Sequence, residues 1–294
     1  MNSTLRKVEK IFSPKFVPEG VGAKVKRIIG VPDLPRLDPF LMLDYFYVKL
    51  PAGFPDHPHR GFETVTYMQK GSFFHEDFKG HKGRIDPGDL QWMTAGKGIV
   101  HAEMPASDTE ESIGFQLWIN LEKDKKFCDP AYQEFKGETI PIVEKDGVEI
   151  KLISGEAFGT KGPIFARTPA FYMDITIKKN SKLSQNIPAD WNAMCYVYEG
   201  EGYFGADQEK GIENNAIVLK KNNGDTLEVT TKDKELKFIL LAGQPLNEKI
   251  VQYGPFVLEN EEDLYKTFED YDLGKNGFEG AKKWKSEIRK LAKK

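Results

Sequence analysis

The sequence predicts an all-β protein: two antiparallel β-barrel or jelly-roll domains packed together, with a short helical segment at the C-terminal end. Three observations predict it. The chain has 294 residues, about twice the roughly 150 of a typical domain. Its interior is a succession of short runs rich in branched and aromatic residues, separated by Gly, Pro, Asn and Asp clusters, the pattern of sandwiches and barrels. One stretch also recurs. ETVTYMQKGSF (63–73) resembles AMCYVYEGEGYF (193–204), and IDPGDLQWM (85–93) resembles KKNNGDTLEV (220–229), as two copies of one plan would.

The strands read in order. ETVTYMQKG (63–71) alternates and ends in glycine, and RIDPGDLQWM (84–93) carries a Pro-Gly-Asp turn between β-prone runs. GFQLWINL (114–121), VEIKLIS (148–154), FYMDITI (171–177), MCYVYEG (194–200), AIVLK (216–220), DTLEV (225–229) and KFILLAG (237–243) follow. A helix is expected near the end, where Leu264, Phe268 and Tyr271 form one stripe behind an Asn260 cap. Ala281, Trp284, Ile288 and Leu291 recur at helical spacing, so the seven basic residues of the last fourteen are read as the wet face of an amphipathic helix. The domain boundary falls near Lys136–Pro141, giving domains 1–136 and 137–294.

Lys plus Arg number 42 and Asp plus Glu 45, a net charge of −3. That excludes a globally basic nucleic-acid binder and an acidic disordered chain, and no sequence-specific DNA binding is expected. Cys128 and Cys195 are the only cysteines, too few for a disulfide framework or a four-cysteine zinc site, so a reducing compartment is the default. The opening MNSTLRKVEKIFSPKF has no continuous apolar stretch and is not read as a signal peptide. FILLAG (238–243) is too short to span a bilayer, so no membrane association is expected.

The stretch that carries chemistry is GFPDHPHRGFET (53–64) with GIVHAEMP (98–105). His57 and His59 are two apart, as are His101 and Glu103. Residues i and i+2 of a strand share a face, so on neighbouring strands three imidazoles and a carboxylate converge. Nitrogen and oxygen donors without thiolate suit iron, manganese, nickel, copper or zinc. Four such ligands leave two positions of an octahedron open for substrate, dioxygen or water, unlike a closed structural zinc site. All five histidines lie at or before position 101, so one metal is expected per chain, in the N-terminal domain alone. His75 and His81 flank the loop HEDFKGHKG and can line the pocket mouth. Trp92, with Met93 and Phe115, is a candidate pocket wall, although core packing suits those residues too.

These motifs resemble those of the cupin superfamily and, more closely, of the pirin family. EGVGAKVKRIIG (19–30), LDPFLMLDYF (37–46), FPDHPHRGFETV (54–65), HEDFKGHKG (75–83), PGDLQWMTAGKGIVHAEMP (87–105), LISGEAFG (152–159) and KNGFEGAKKWKS (275–286) carry the resemblance, which spans nearly the whole chain. It implies a bicupin in which iron, Fe2+ or Fe3+, is held by His57, His59, His101 and Glu103. The general cupin pattern would draw its carboxylate from the position of Glu63; the pirin pattern takes it from Glu103, which leaves Glu63 to orient a histidine or a metal-bound water.

The resemblance implies two kinds of function. The first is a quercetin 2,3-dioxygenase-like enzyme that opens a flavonol with dioxygen and releases carbon monoxide, with Glu103 staying a ligand or leaving to act as the base. The second is a nuclear transcription cofactor whose iron oxidation state alters the surface offered to transcription factors. A monomer located in nucleus and cytoplasm is expected. The residues alone do not choose between enzyme and regulator, because both use the same iron site.

Overall fold

A computed structural model describes residues 3–292. The chain divides into two compact units, and both are built from antiparallel sheets. One unit, which carries the histidines, comprises residues 16–30, 40–138 and 246 onward. Its seven-stranded sheet runs in the order Ala131–Phe135, Leu90–Thr94, Phe62–Lys70, Ser112–Asn120, Phe40–Val48, Ala23–Ile29 and Phe16–Glu19. Its four-stranded sheet runs Phe54–His59, Ile99–Pro105, Phe73–Asp77 and Lys82–Ile85.

The other unit comprises residues 1–15, 31–39 and 139–245. Its main path is Val8–Phe12, Ala216–Leu219, Asn192–Phe204, Leu236–Gly243, Ala170–Ile177, Val148–Ser154 and Ile142–Lys145. Lys182–Asn186, Thr226–Thr230 and Glu209–Ile212 branch from the far end of Asn192–Phe204. Each of the nine expected strand runs is found, and VEIKLIS occupies Val148–Ser154 as written. The alternation has a direct cause. Leu152, Ile150 and Val148 face a core that also holds Ile175, Leu183, Leu227, Val229 and Phe238, and each such side chain contributes about 1.5–3 kcal/mol by leaving water.

The division into contiguous domains 1–136 and 137–294 is corrected at both ends. Val8–Phe12 pairs with Ala216–Leu219, so the N-terminus completes the second unit. There the buried guanidinium of Arg6 donates to the carbonyls of Gly224, Trp191 and Pro188. Conversely, residues from 246 onward pack on the histidine-bearing unit.

The internal repeat is real but its second half is displaced by one strand. Gly88 donates to the Met68 carbonyl and Met68 to that of Asp89. Asn214 and Val197, then Val197 and Asn215, make the same pair of bonds. Pro-Gly-Asp therefore corresponds to Glu213-Asn214-Asn215, not to the later Asn-Gly-Asp. That later glycine, Gly224 at φ 156°, corresponds to Gly98 at φ 147°, a conformation other residues adopt only with strain.

Near the C-terminus the helix is Glu261–Leu273, capped by Asn260, whose side chain accepts from the Asp263 amide, and closed by Gly274 at φ 66°. The second expected helix does not form. Residues 281–287 are turns and irregular chain, followed by a 3-10 helix at Ile288–Ala292. Gly277 and Gly280, both at positive φ, break the path, and Ser286 bonds Asp56 instead of extending a helix. The face is still sided as expected, with Ala281 buried and Lys282, Lys283, Lys285 and Lys290 exposed. Lys293 and Lys294 lie outside the described residues. No helix among the described residues is long and apolar enough to cross a membrane.

Candidate metal centre

The His-Pro-His strand, Phe54–His59, lies beside the His-Ala-Glu strand, Ile99–Pro105, with His101 opposite His57 and Ile99 opposite His59. Directly opposed residues share a face, so three rings meet inside the unit. Their centroids are 4.4 Å (His57–His101), 4.8 Å (His57–His59) and 5.0 Å (His59–His101) apart. One nitrogen from each lies within 4.8 Å of the others. Phe62 and Trp118 stack edge-on against His59 at 5.1 and 5.3 Å, fixing its ring in an apolar wall.

The donor set fits a transition metal. His57 Nδ1 lies 2.9 Å from the Pro55 carbonyl, which leaves its Nε2 free to ligate. His59 Nδ1 and His101 Nε2 are buried with no hydrogen-bond partner. A buried ring nitrogen without a partner costs about 1–3 kcal/mol, a cost that a bound cation removes. Burial, reinforced by the neighbouring His57, pushes the pKa values of His59 and His101 well below the ordinary imidazole range. Both rings are therefore neutral, the form that binds metal.

Glu103 sits two residues beyond His101 on the same face and is 3% exposed. It accepts from Thr66 Oγ1 at 2.9 Å and from Gln116 Nε2 at 3.3 Å. In this conformation its carboxylate is held by those two groups and stands apart from the three-imidazole group. The pairing register shifts between His101 and Glu103, so Glu103 faces Phe54 on one side and His75 on the other.

Glu63 and Trp92 are corrected. Thr66 and Phe62 point toward Glu103 and His59, so the alternate residues Glu63 and Val65 point to the other face of the sheet. Glu63 is opposite Thr94 and Trp92 opposite Val65, and Thr94 Oγ1 donates to Glu63 Oε1 at 2.7 Å. Neither residue lines the imidazole pocket. Glu63→Gln is expected to leave metal content at the wild-type level by elemental analysis, whereas a halved content would restore Glu63 to the site.

His75 and His81 do not join the triad either. They form a second group with Glu134, on the strand Ala131–Phe135. Glu134 Oε1 lies 3.2 Å from His75 Nε2, 3.1 Å from His81 Nε2 and 2.6 Å from Gln91 Nε2. Burial alone would raise the Glu134 pKa, but hydrogen bonds from His75, Gln91 and His81 bring it down to about 2. The sequence reading missed Glu134, Gln91, Thr66 and Gln116. Thr66, Gln91 and Gln116 lie on strands that the sequence did reveal, Phe62–Lys70, Leu90–Thr94 and Ser112–Asn120, where a period of two assigns each a face; Glu134 lies on Ala131–Phe135, which carried no such signal.

Among the described residues the second unit has no such centre, and its register explains why. With Gly224 matched to Gly98, Leu227 stands where His101 does and Val229 where Glu103 does. Leu227 opposes Gln185 as His101 opposes His57. Leu227 and Val229 belong to a continuous apolar core.

Family comparisons agree with this architecture. Residues 22–119 match the family model described as Pirin, and residues 172–277 match that described as Pirin C-terminal cupin domain. A pirin-like protein of Solanum lycopersicum is 53% identical over 270 residues, covering 91% of this chain and 92% of that one. The chain belongs to the pirin family. Pirin of Homo sapiens is 50% identical over 274 residues, covering 92% of this chain and 93% of that one. Among solved structures, a quercetin 2,3-dioxygenase from Acinetobacter baumannii superposes with a TM-score of 0.84 at 30% identity, covering 93% of this chain and 99% of that one. The bicupin class expected from the sequence is thus the class found, and the pirin ligand pattern falls on the three imidazoles that converge.

Proposed function

We propose that this chain is an iron-dependent dioxygenase of the quercetin 2,3-dioxygenase type, cleaving a flavonol with dioxygen. The observation that carries the reading is the convergence of three imidazoles, two of them buried, neutral and with orphaned ring nitrogens, beside a buried carboxylate. The likeness to a quercetin 2,3-dioxygenase at 30% identity over nearly the whole chain supports the substrate class. His57, His59, His101 and Glu103 would hold the iron, which when bound supplies Lewis acidity toward the flavonol's 3-hydroxyl and a place for dioxygen.

The chain's own groups do the rest. Glu103 is the base that takes the 3-hydroxyl proton onto a carboxylate oxygen. Thr66 and Gln116 aim that carboxylate. Phe62 and Trp118 keep water from the His59 side, which strengthens every electrostatic contact inside the site.

Glu103→Gln keeps the shape and an oxygen acceptor for Thr66 but loses one negative charge. Iron affinity is expected to fall, and a ferric ion to suffer more than a ferrous one because the lost attraction scales with metal charge. The reduction potential should rise, and oxygen uptake with a flavonol panel should fall further than the loss of iron explains. Unchanged iron content, potential and uptake together would remove Glu103 from the site. Wild-type protein with full iron that consumes no oxygen with any flavonol would instead favour the regulator reading.

A further inference from the structure

We infer that His75, His81 and Glu134 form a second metal site, taking a divalent ion of the zinc class alongside the iron of the imidazole triad. The inference does not depend on the substrate acted on at the triad. Four observations carry it. First, the spacing suits a shared ion. Ligand atoms about 2.0–2.1 Å from one zinc ion stand about 3.3 Å apart along a tetrahedral edge, and Glu134 Oε1 lies 3.2 and 3.1 Å from the two Nε2 atoms. Second, the three groups already converge on one point: one donor atom from each lies within 4.8 Å of the others, with Glu134 Oε1 as the shared neighbour of both ring nitrogens.

Third, the ligands are preorganised. Asp77 Oδ1 accepts the amides of Lys79 and His81, both at 2.8 Å, closing the turn that presents His81. The His81 ring stacks on Tyr132 at 4.1 Å, and Tyr132 donates to Asp77 Oδ2 at 2.7 Å. Gly83 faces His75 across the strand pair, and a Cβ there would come within 2.6 Å of His75 Nε2, so the missing side chain is what leaves that nitrogen accessible. Fourth, the site opens on space. A cavity of about 400 Å³ is lined by His75, Gly83, Glu134 and Lys136 among others. Three protein ligands with an open fourth position facing such a cavity is the arrangement of an exchangeable zinc site, not of a closed structural one.

The test uses the full chain with its triad filled with iron. Zinc chloride is titrated in by calorimetry, and both metals are then counted by elemental analysis after gel filtration. One further equivalent of zinc per chain is expected, with iron unchanged. His81→Ala and Glu134→Gln should each weaken zinc binding at least tenfold. Glu134→Gln retains the hub oxygen and shape, so it reports on the charge even if His81→Ala unfolds, which circular dichroism will show. Cobalt(II) in place of zinc should give the visible absorption of a tetrahedral ion, lost in both variants. His101→Leu, which breaks the triad, should still take up the zinc equivalent, so failure of the iron reading and failure of this one are distinguishable. No second equivalent in wild type, zinc gained only at the expense of iron, or undiminished zinc in both variants would each overturn the inference.

Discussion

On the proposed iron reading, replacing His101 by leucine is expected to empty the imidazole triad of iron while leaving the fold in place. The second unit supplies the reason to expect both halves of that result. There Leu227 already occupies the equivalent register position, inside a core that includes Val229, Leu183 and Phe238. His101 is 2% exposed, and its Nε2 has no hydrogen-bond partner. Leucine therefore replaces a buried unpartnered polar atom with an apolar group of similar size, which is neutral or favourable for the metal-free chain. The metal loses one of three imidazoles and cannot recover it, since the facing position is already His57. Elemental analysis should find less than about a tenth of an iron per chain. A metal that binds only the folded state stabilises it by about 2.7 kcal/mol at a hundredfold excess over Kd. That iron-induced rise in melting temperature should vanish in the variant, while the melting temperature without metal stays within a few degrees of wild type. Retained iron, or a collapse of the metal-free fold, would contradict the assignment.

The triad was legible in the sequence because its information is local. A period of two puts His57 with His59 and His101 with Glu103 on one face each, and only the pairing of the two strands had to be supplied. Glu63 and Trp92 were misread for a related reason. Each lies within a few residues of a ligand strand, but parity relative to Thr66 decides the face, and no local signal reveals it. Glu134 was invisible because it reaches His75 and His81 from a strand about fifty residues away, through tertiary pairing alone. The interleaved units were equally out of reach. Val8–Phe12 is a short half-exposed strand whose partner, Ala216–Leu219, lies more than two hundred residues on. The displaced repeat followed from matching turn letters: Asn-Gly-Asp looks like Pro-Gly-Asp, but the backbone bonds place Glu213-Asn214-Asn215 there.

The residue between the metal strand and the C-terminal segment yields the largest expected stability effect. Arg60 follows His59 directly, is fully buried, and spends its guanidinium on four acceptors: the Lys97 carbonyl at 2.7 Å, Thr267 Oγ1 at 3.1 Å, Asp270 Oδ2 at 2.9 Å and the Asn276 carbonyl at 2.7 Å. Its plane also lies 4.6 Å from the Phe278 ring centroid. Burial lowers the Arg60 pKa and Asp270 partly offsets that, so the charge is tolerated only because it is partnered. Arg60→Ala leaves the buried Asp270 without its direct ion-pair partner, and breaking a buried pair in this way costs about 3–5 kcal/mol. The loss should appear in denaturant unfolding of the metal-free chain. It should extend to the metal, because the backbone of Arg60 bonds Pro255 and Val257 and Pro255 also bonds His59; loosening the C-terminal segment therefore releases a ligand ring. Arg60→Lys keeps the charge but not the planar fork, and should recover only part of the stability. In the double variant Arg60→Ala with Asp270→Ala, the cost should be less than the sum of the two single costs, since no stranded carboxylate remains. A strictly additive cycle, or iron affinity unmoved by Arg60→Ala, would mean that Arg60 fills space without tying the helical segment to the metal strand.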